Sequence, residues 1–151
     1  MKRVVLDASV ILKWYLLDEE HGAQALILLQ QRTAGELEIL APSLLEYELM
    51  NGLVIAGRRA RLDQVTVSLS FKGFMMLGIQ FYDLSFLADK VLQYSRLYGS
   101  SVYDSSYLAL ADQEGIDLIT ADERLFNSVQ KDLPWVRWIG NRGTAPILFG
   151  T

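Results

Sequence analysis

The sequence predicts an α/β fold, a central parallel sheet with helices on both faces. Three observations carry that prediction. Short apolar runs that read as strands alternate with longer segments of helical character, the pattern of successive strand–helix–strand units. Two acids, Asp7 and Asp122, fall at or just past the ends of such runs, where sites form in parallel sheets. The chain has 151 residues, 51% of them hydrophobic, which suits one domain around one core.

Taken in order, Arg3–Asp7 reads as a buried strand, an apolar run ending in a polar residue. Ser9–Leu17 reads as a short helix, and Glu19–Thr33 as a stronger one, with Ala23, Leu26 and Ile27 close to helical period and Gly35 beyond its end. Leu37–Ala41 is a second strand. Pro42 precedes a helix over Leu44–Ala56, with Ser43 placed to cap it and Gly57 placed to stop it. Arg58–Arg61 link to a helix over Leu62–Leu77, weakened in its later half by Gly73. Ile79–Tyr82 is a third strand, Ser85–Leu97 a helix with Gly99 beyond it, and Val102–Glu114 another closed by Gly115. Leu118–Thr120, a short helix Asp122–Val129 and a fifth strand Trp135–Ile139 complete the alternation, and the tail 140–151 is read as a flexible or partner-binding segment.

Composition excludes several chemistries. There is no cysteine, so disulfides, thiolate catalysis and zinc–sulfur sites are absent, which fits a reducing cytoplasm. The chain enters a strand directly, so no secretory signal is expected, and no apolar stretch approaches the ~20 residues of a membrane span. A net charge of −4 does not predict binding of nucleic acid by overall charge. The single histidine, His21, reads as a solvated residue at a helix start. Hydrolysis would therefore need metal-activated water rather than a histidine base.

Four carboxylates stand where apolar elements end or turn polar: Asp7, Glu48, Asp104 and Asp122. Hard oxygen donors of this kind suit magnesium or manganese. Asp7, at the end of a buried strand, fits a rigid ligand and a helix cap equally well. Glu48 shares a helix face with Asn51 three residues on, beside Gly52, while Glu46 falls on the far side. The helix that carries them is apolar nearly all round, as a buried helix is. Asp104 lies in Ser101-Val102-Tyr103-Asp104, a capping-box pattern that gives it a structural use of its own. In Thr120-Ala121-Asp122-Glu123, Thr120 and Glu123 can form the box, which leaves Asp122 without a required structural role.

These residues carry a family likeness. Val5-Leu6-Asp7-Ala8-Ser9-Val10-Ile11, Tyr47-Glu48-Leu49-Met50-Asn51-Gly52-Leu53, Val102-Tyr103-Asp104-Ser105-Ser106-Tyr107-Leu108-Ala109-Leu110-Ala111 and Leu118-Ile119-Thr120-Ala121-Asp122-Glu123-Arg124-Leu125 occur in that order. Together they resemble the motifs of PIN-domain ribonucleases, in particular the VapC-type toxins of toxin–antitoxin pairs. The resemblance implies a single PIN domain over 1–151, a three-layer αβα sandwich with a central parallel sheet. It implies an endoribonuclease dependent on Mg²⁺ or Mn²⁺, with Asp7 and Asp104 as core metal ligands and Glu48 and Asp122 completing the shell. Ser9, Asn51 and Thr120 would support those ligands. It further implies a cytoplasmic homodimer that binds RNA as substrate and a small antitoxin as partner.

Two further features bear on partners. Arg58, Arg59 and Arg61 form a basic cluster in an otherwise acidic chain, suited to RNA phosphates or an acidic partner, and equally to a solvated turn. The helices Ser43–Ala56 and Leu62–Leu77 carry more apolar residues than one core-facing stripe needs, among them Leu53, Leu69, Phe71, Phe74 and Met76. Such a surplus either finishes the core or forms a shared interface. Two other readings stay open: a catalytically silent binding module on the same fold, and a metal-dependent phosphatase of another family. A dehalogenase-like phosphatase would need a second Asp two residues after Asp7, where this chain has Ser9.

Overall fold

A computed structural model describes residues 1–141. The expected tail therefore lies outside the described residues except for Gly140 and Asn141. The strands are β1 (Lys2–Leu6), β2 (Leu37–Pro42), β3 (Gln80–Tyr82), β4 (Leu118–Thr120) and β5 (Val136–Trp138). The helices are α1 (Ala8–Ile11), α2 (Gly22–Thr33), α3 (Leu44–Arg58), α4 (Gln64–Met75), α5 (Ala88–Tyr98), α6 (Val102–Glu114) and α7 (Glu123–Val129).

The five strands form one sheet in the order β3-β2-β1-β4-β5, and every pairing is parallel. Right-handed crossovers put the helices that connect β1, β2 and β3 on one face and those that connect β3, β4 and β5 on the other. The result is the three-layer αβα sandwich. β1 lies in the middle, paired with β2 on one side and β4 on the other. Its Val4, Val5 and Leu6 are fully buried, as are Ile39 and Leu40 of β2 and Leu118 and Ile119 of β4. Strands covered on both faces read as continuous apolar runs, which is why they were legible. From Ser105 to Ala111 every residue of α6 is buried. A helix wedged between the sheet and α5 needs small side chains on its crowded sides, and Ser105, Ser106, Ala109 and Ala111 supply them.

Several local expectations change. The helix expected over Ser9–Leu17 is one α-turn followed by a 3₁₀ turn, Leu12–Trp14. α2 starts at Gly22, because His21 takes a left-handed conformation at φ 61°. His21 is half-buried against Trp138, ring centroids 5.3 Å apart, rather than solvated. Ser43 precedes α3 but its side chain makes no cap. Asp63 caps α4 instead, accepting from the Thr66 N–H at 2.7 Å. α3 runs through Gly57, where an added Cβ would meet Val67 of α4 at 3.3 Å. Gly57 thus serves the close approach of α3 and α4, and the helix stops later.

α3 is not buried all round. Leu45, Leu49, Leu53 and Ala56 face the core, while Tyr47 is 81% exposed. Leu53 and Phe74, expected as interface candidates, belong to the core of this protomer at 0% and 1% exposure. On α4 and its C-terminal cap the exposed apolar residues Val65, Leu69 and Met76 recur at helical spacing and share one stripe. Among the described residues no helix is long and apolar enough to cross a membrane.

The true stop of α3 is Ala60, at φ 57°, with the Arg61 N–H returning to the Ala56 carbonyl at 2.9 Å and the Ala60 N–H to the Gly57 carbonyl at 3.1 Å. This end of the helix normally takes glycine, because a Cβ in the left-handed region costs roughly 1–2 kcal/mol. Ala60→Gly is therefore expected to stabilise the fold by about 1 kcal/mol, read as a higher urea midpoint with an unchanged slope.

Candidate functional site

β1 ends at Leu6, and the next residue, Asp7, caps α1 by accepting from the Val10 N–H at 3.4 Å. Its side chain does more than cap. The Ser9 hydroxyl donates to Oδ1 and the Thr120 hydroxyl to Oδ2, each at 2.5 Å. Ser9 in turn accepts from the Ala121 N–H at 2.9 Å, and Thr120 Oγ1 accepts from the Asp122 N–H at 3.0 Å. Two hydroxyls thus join the carboxyl ends of β1 and β4 around one carboxylate that is 6% exposed. Burial pushes the Asp7 pKa up to about 6, against the lowering effect of Ser9, Thr120 and the Val10 N–H, with the charge of Asp104 adding to the rise.

Asp104 stands in the first turn of α6, its N–H capped by the Ser101 hydroxyl at 3.0 Å, as the capping-box pattern predicts. Its carboxylate is half-buried. Burial raises its pKa, the charge of Asp122 adds to that, and Arg124 and Ser101 oppose it. Glu48 projects from α3 and accepts from the Tyr107 hydroxyl at 2.6 Å. Burial raises its pKa too, Tyr107 lowers it, and Asp104 raises it again. Asp122 is the N-cap of α7 and accepts from the Leu125 N–H at 3.2 Å. It therefore has a structural role. Thr120, expected to cap in its place, has its hydroxyl committed to Asp7.

The acids are thus electrostatically joined through Asp104, which feels Asp122 and is felt by both Asp7 and Glu48. They come from four segments that meet beyond the carboxyl edge of the sheet. A cluster of hard oxygen donors in which Asp7, Glu48 and Asp104 are raised first by burial and then by neighbouring negative charge fits a divalent cation, which relieves the repulsion. Among the described residues, no three acidic or histidine side chains are arranged to hold an ion as they stand. Asn51 is exposed, and no hydrogen bond ties it to the acids. Glu46 makes no hydrogen bond or ion pair with the acids among the described residues.

Two residues near the acids escaped the sequence reading. Tyr107, 2% exposed, reads as core because it is an aromatic in an apolar helix, and its partner is distant in sequence. Arg124 opposes the charge on Asp104 from α7; its only signal was its place two residues after Asp122. The three clustered arginines separate. Arg61 pairs with Asp18 at 2.8 Å and Glu19 at 3.4 Å. Arg58 lines a groove between α3 and α4, and Arg59 is exposed.

An all-parallel sheet with acids gathered at its carboxyl edge defines a class of α/β protein built around a polar, charge-loaded site. Within that class the chain belongs to the PIN domain family, whose model matches residues 4–132. No curated protein matches it in sequence. Among solved structures it is similar to PAE2754 from Pyrobaculum aerophilum, with a TM-score of 0.66 and 23% identity over 92% of each chain. It is also similar to VapC20 of Mycobacterium tuberculosis, a Sarcin-Ricin loop cleaving toxin, with a TM-score of 0.60 and 10% identity over 83% of this chain and 94% of that one. A toxin–antitoxin complex from Klebsiella pneumoniae gives 0.53 and 17% over 95% and 99%. At these identities the likeness is one of fold.

The raised carboxylates fix how stability responds to pH. Asp7 has a folded pKa of about 6 against an ordinary 3.8, so the folded chain holds more protons than the unfolded chain between those values. Stability of the ion-free protein therefore falls as pH rises through that window, and Glu48 and Asp104 act in the same direction. Asp7→Asn is expected to stabilise the ion-free protein at neutral pH, by up to about 3 kcal/mol, and to flatten the pH profile. Urea melts at a series of pH values check this; a wild-type midpoint that climbs between pH ~4 and ~6 would contradict the burial argument.

Proposed function

We propose that this chain is a divalent-metal-dependent endoribonuclease and the toxin of a type II toxin–antitoxin pair. The observation that carries the reading is the set of four acids, coupled through Asp104 at the carboxyl edge of a PIN-domain sheet. Its fold likeness to a toxin that cleaves the sarcin–ricin loop and to a toxin–antitoxin complex supports it.

Asp7 and Asp104 would hold Mg²⁺ or Mn²⁺, with Glu48 and Asp122 completing the shell directly or through water. A bound divalent ion lowers the pKa of its water and neutralises charge on the phosphate. Ser9 and Thr120 fix both oxygens of Asp7 with hydroxyl donors, yet a carboxylate oxygen accepts more than one partner, so ligation remains open to them. Glu48 or Asp122 would orient the attacking water. Arg124, beside Asp104, offsets negative charge where a phosphodiester would approach. Attack by water does not require the RNA 2′-hydroxyl, so single-stranded DNA belongs in the assay beside RNA.

Two partners follow on the same reading, a second copy of the chain and a small antitoxin. The groove between α3 and α4, about 590 Å³, has an apolar floor of Met50, Val54, Val67 and Phe71 with Arg58 and Lys72 at its margin, chemistry suited to an acidic amphipathic segment. The exposed stripe of Val65, Leu69 and Met76 is the face we assign to the dimer. Arg58 and Arg59, which make no ion pair among the described residues, are the members of the basic cluster left for RNA or the antitoxin.

Cleavage of RNA in Mg²⁺ or Mn²⁺ is expected for the wild type. Asp7→Asn and Asp104→Asn should each lower the rate at least ~100-fold, the loss of one anionic ligand being worth several kcal/mol of charge stabilisation. Glu48→Gln should impair cleavage and Glu46→Gln should not. Full activity in either Asp variant, or impairment confined to Glu46→Gln, would sink the site assignment. Sedimentation equilibrium at micromolar concentration should give a dimer that Leu69→Glu dissociates without loss of helical circular dichroism; a wild-type species at 17.0 kDa would refute it.

A further inference from the structure

Tyr107 is a buried side chain that joins the helix carrying Asp104 to the helix carrying Glu48. It lies on α6 three residues after Asp104, so the two share a helix face. Its hydroxyl donates to Glu48 Oε1 at 2.6 Å, reaching from α6 to α3.

The ring is 2% exposed. A position needed only for packing would take phenylalanine, because a buried hydroxyl destabilises unless it is partnered. Glu48 has no other hydrogen bond among the described residues. Its side chain has several rotatable bonds, and among the described residues Tyr107 supplies the hydrogen bond that directs its carboxylate. One oxygen is engaged, and the remaining acceptor capacity is free.

We infer that Tyr107 is the positioning residue for Glu48, directing that carboxylate toward Asp104, whose charge it feels, so that Glu48 can join Asp7 and Asp104, directly or through water, in the shell of a divalent cation. The inference rests on the metal-dependent reading above and adds to it a residue that itself touches neither ion nor substrate. Groups that orient a metal ligand typically govern affinity by about 10–100-fold.

The test is a double-mutant cycle read by calorimetric titration of Mn²⁺ into the full chain without RNA, with near-ultraviolet circular dichroism as the check on folding. Tyr107→Phe is expected to weaken Mn²⁺ binding about tenfold or more. In a Glu48→Gln background the same change should have almost no further effect, because the group it positions is already lost. If Tyr107→Phe leaves Mn²⁺ affinity unchanged, or if the two losses multiply, the inference falls and the metal reading stands. If the wild type binds no Mn²⁺, the metal reading fails and takes the inference with it. Should Tyr107→Phe not fold, Glu48→Asp replaces it: the shorter side chain keeps its charge but withdraws from the phenol. Loss of affinity there comparable to that of Glu48→Gln supports positioning, and retained affinity overturns it.

Discussion

The Asp7 carboxylate ends the innermost strand with 6% of its surface exposed, and each of its oxygens receives a hydroxyl. A charge removed from water in this way needs partners, and the chain is arranged to bring them. Ser9 lies two residues on and is supplied by the local turn. Thr120 comes from β4, which must therefore lie beside β1 in the register that pairs Leu6 with Ile119. The same two hydroxyls take backbone N–H groups from Ala121 and Asp122, so the path of the chain into α7 is set by the group that Asp7 holds. The direction of the whole acidic edge follows from satisfying one buried carboxylate.

Much of this could be read from the amino-acid order. Fully covered strands leave uninterrupted apolar runs, and Gly99 and Gly115 take left-handed conformations at φ 62° and 64° where the helices before them end. The Ser101–Asp104 cap is local and was legible for that reason. What escaped depends on contacts between distant residues. Asp122 looked free of structural duty because Thr120 looked free to cap, and nothing local shows that Thr120 is engaged across the sheet. Tyr107 looked like core because its one polar contact lies on another helix. An apolar helix such as α3 does not disclose which of its faces the fold will cover, and so Leu53 and Phe74 could not be told from Leu69 and Met76 by composition.

The polar and apolar ends of α3 do different work. Its first turns bring Glu48 to the acids, and its last turns, with Gly57 set close to α4, form the wall of the groove. One rigid element therefore joins the charge-loaded edge to the apolar floor of the groove. Arg61, just beyond it, is held by Asp18 and Glu19 from the loop before α2, which anchors the turn between α3 and α4 to the first third of the chain.

The position of β1 at the centre of the sheet also divides the site by how readily its parts can come undone. Hydrogen-bonded neighbours flank β1 on both sides, so the backbone around Asp7 is released only when the sheet itself opens. Asp122 caps α7, a helix only seven residues long, and such an element opens at lower free energy than a core strand. Amide exchange would therefore separate Asp7, fixed by global unfolding, from Asp122, on an element that fluctuates locally. Asp7 is thus built into the least yielding strand, and Asp122 is left on an element better able to give way.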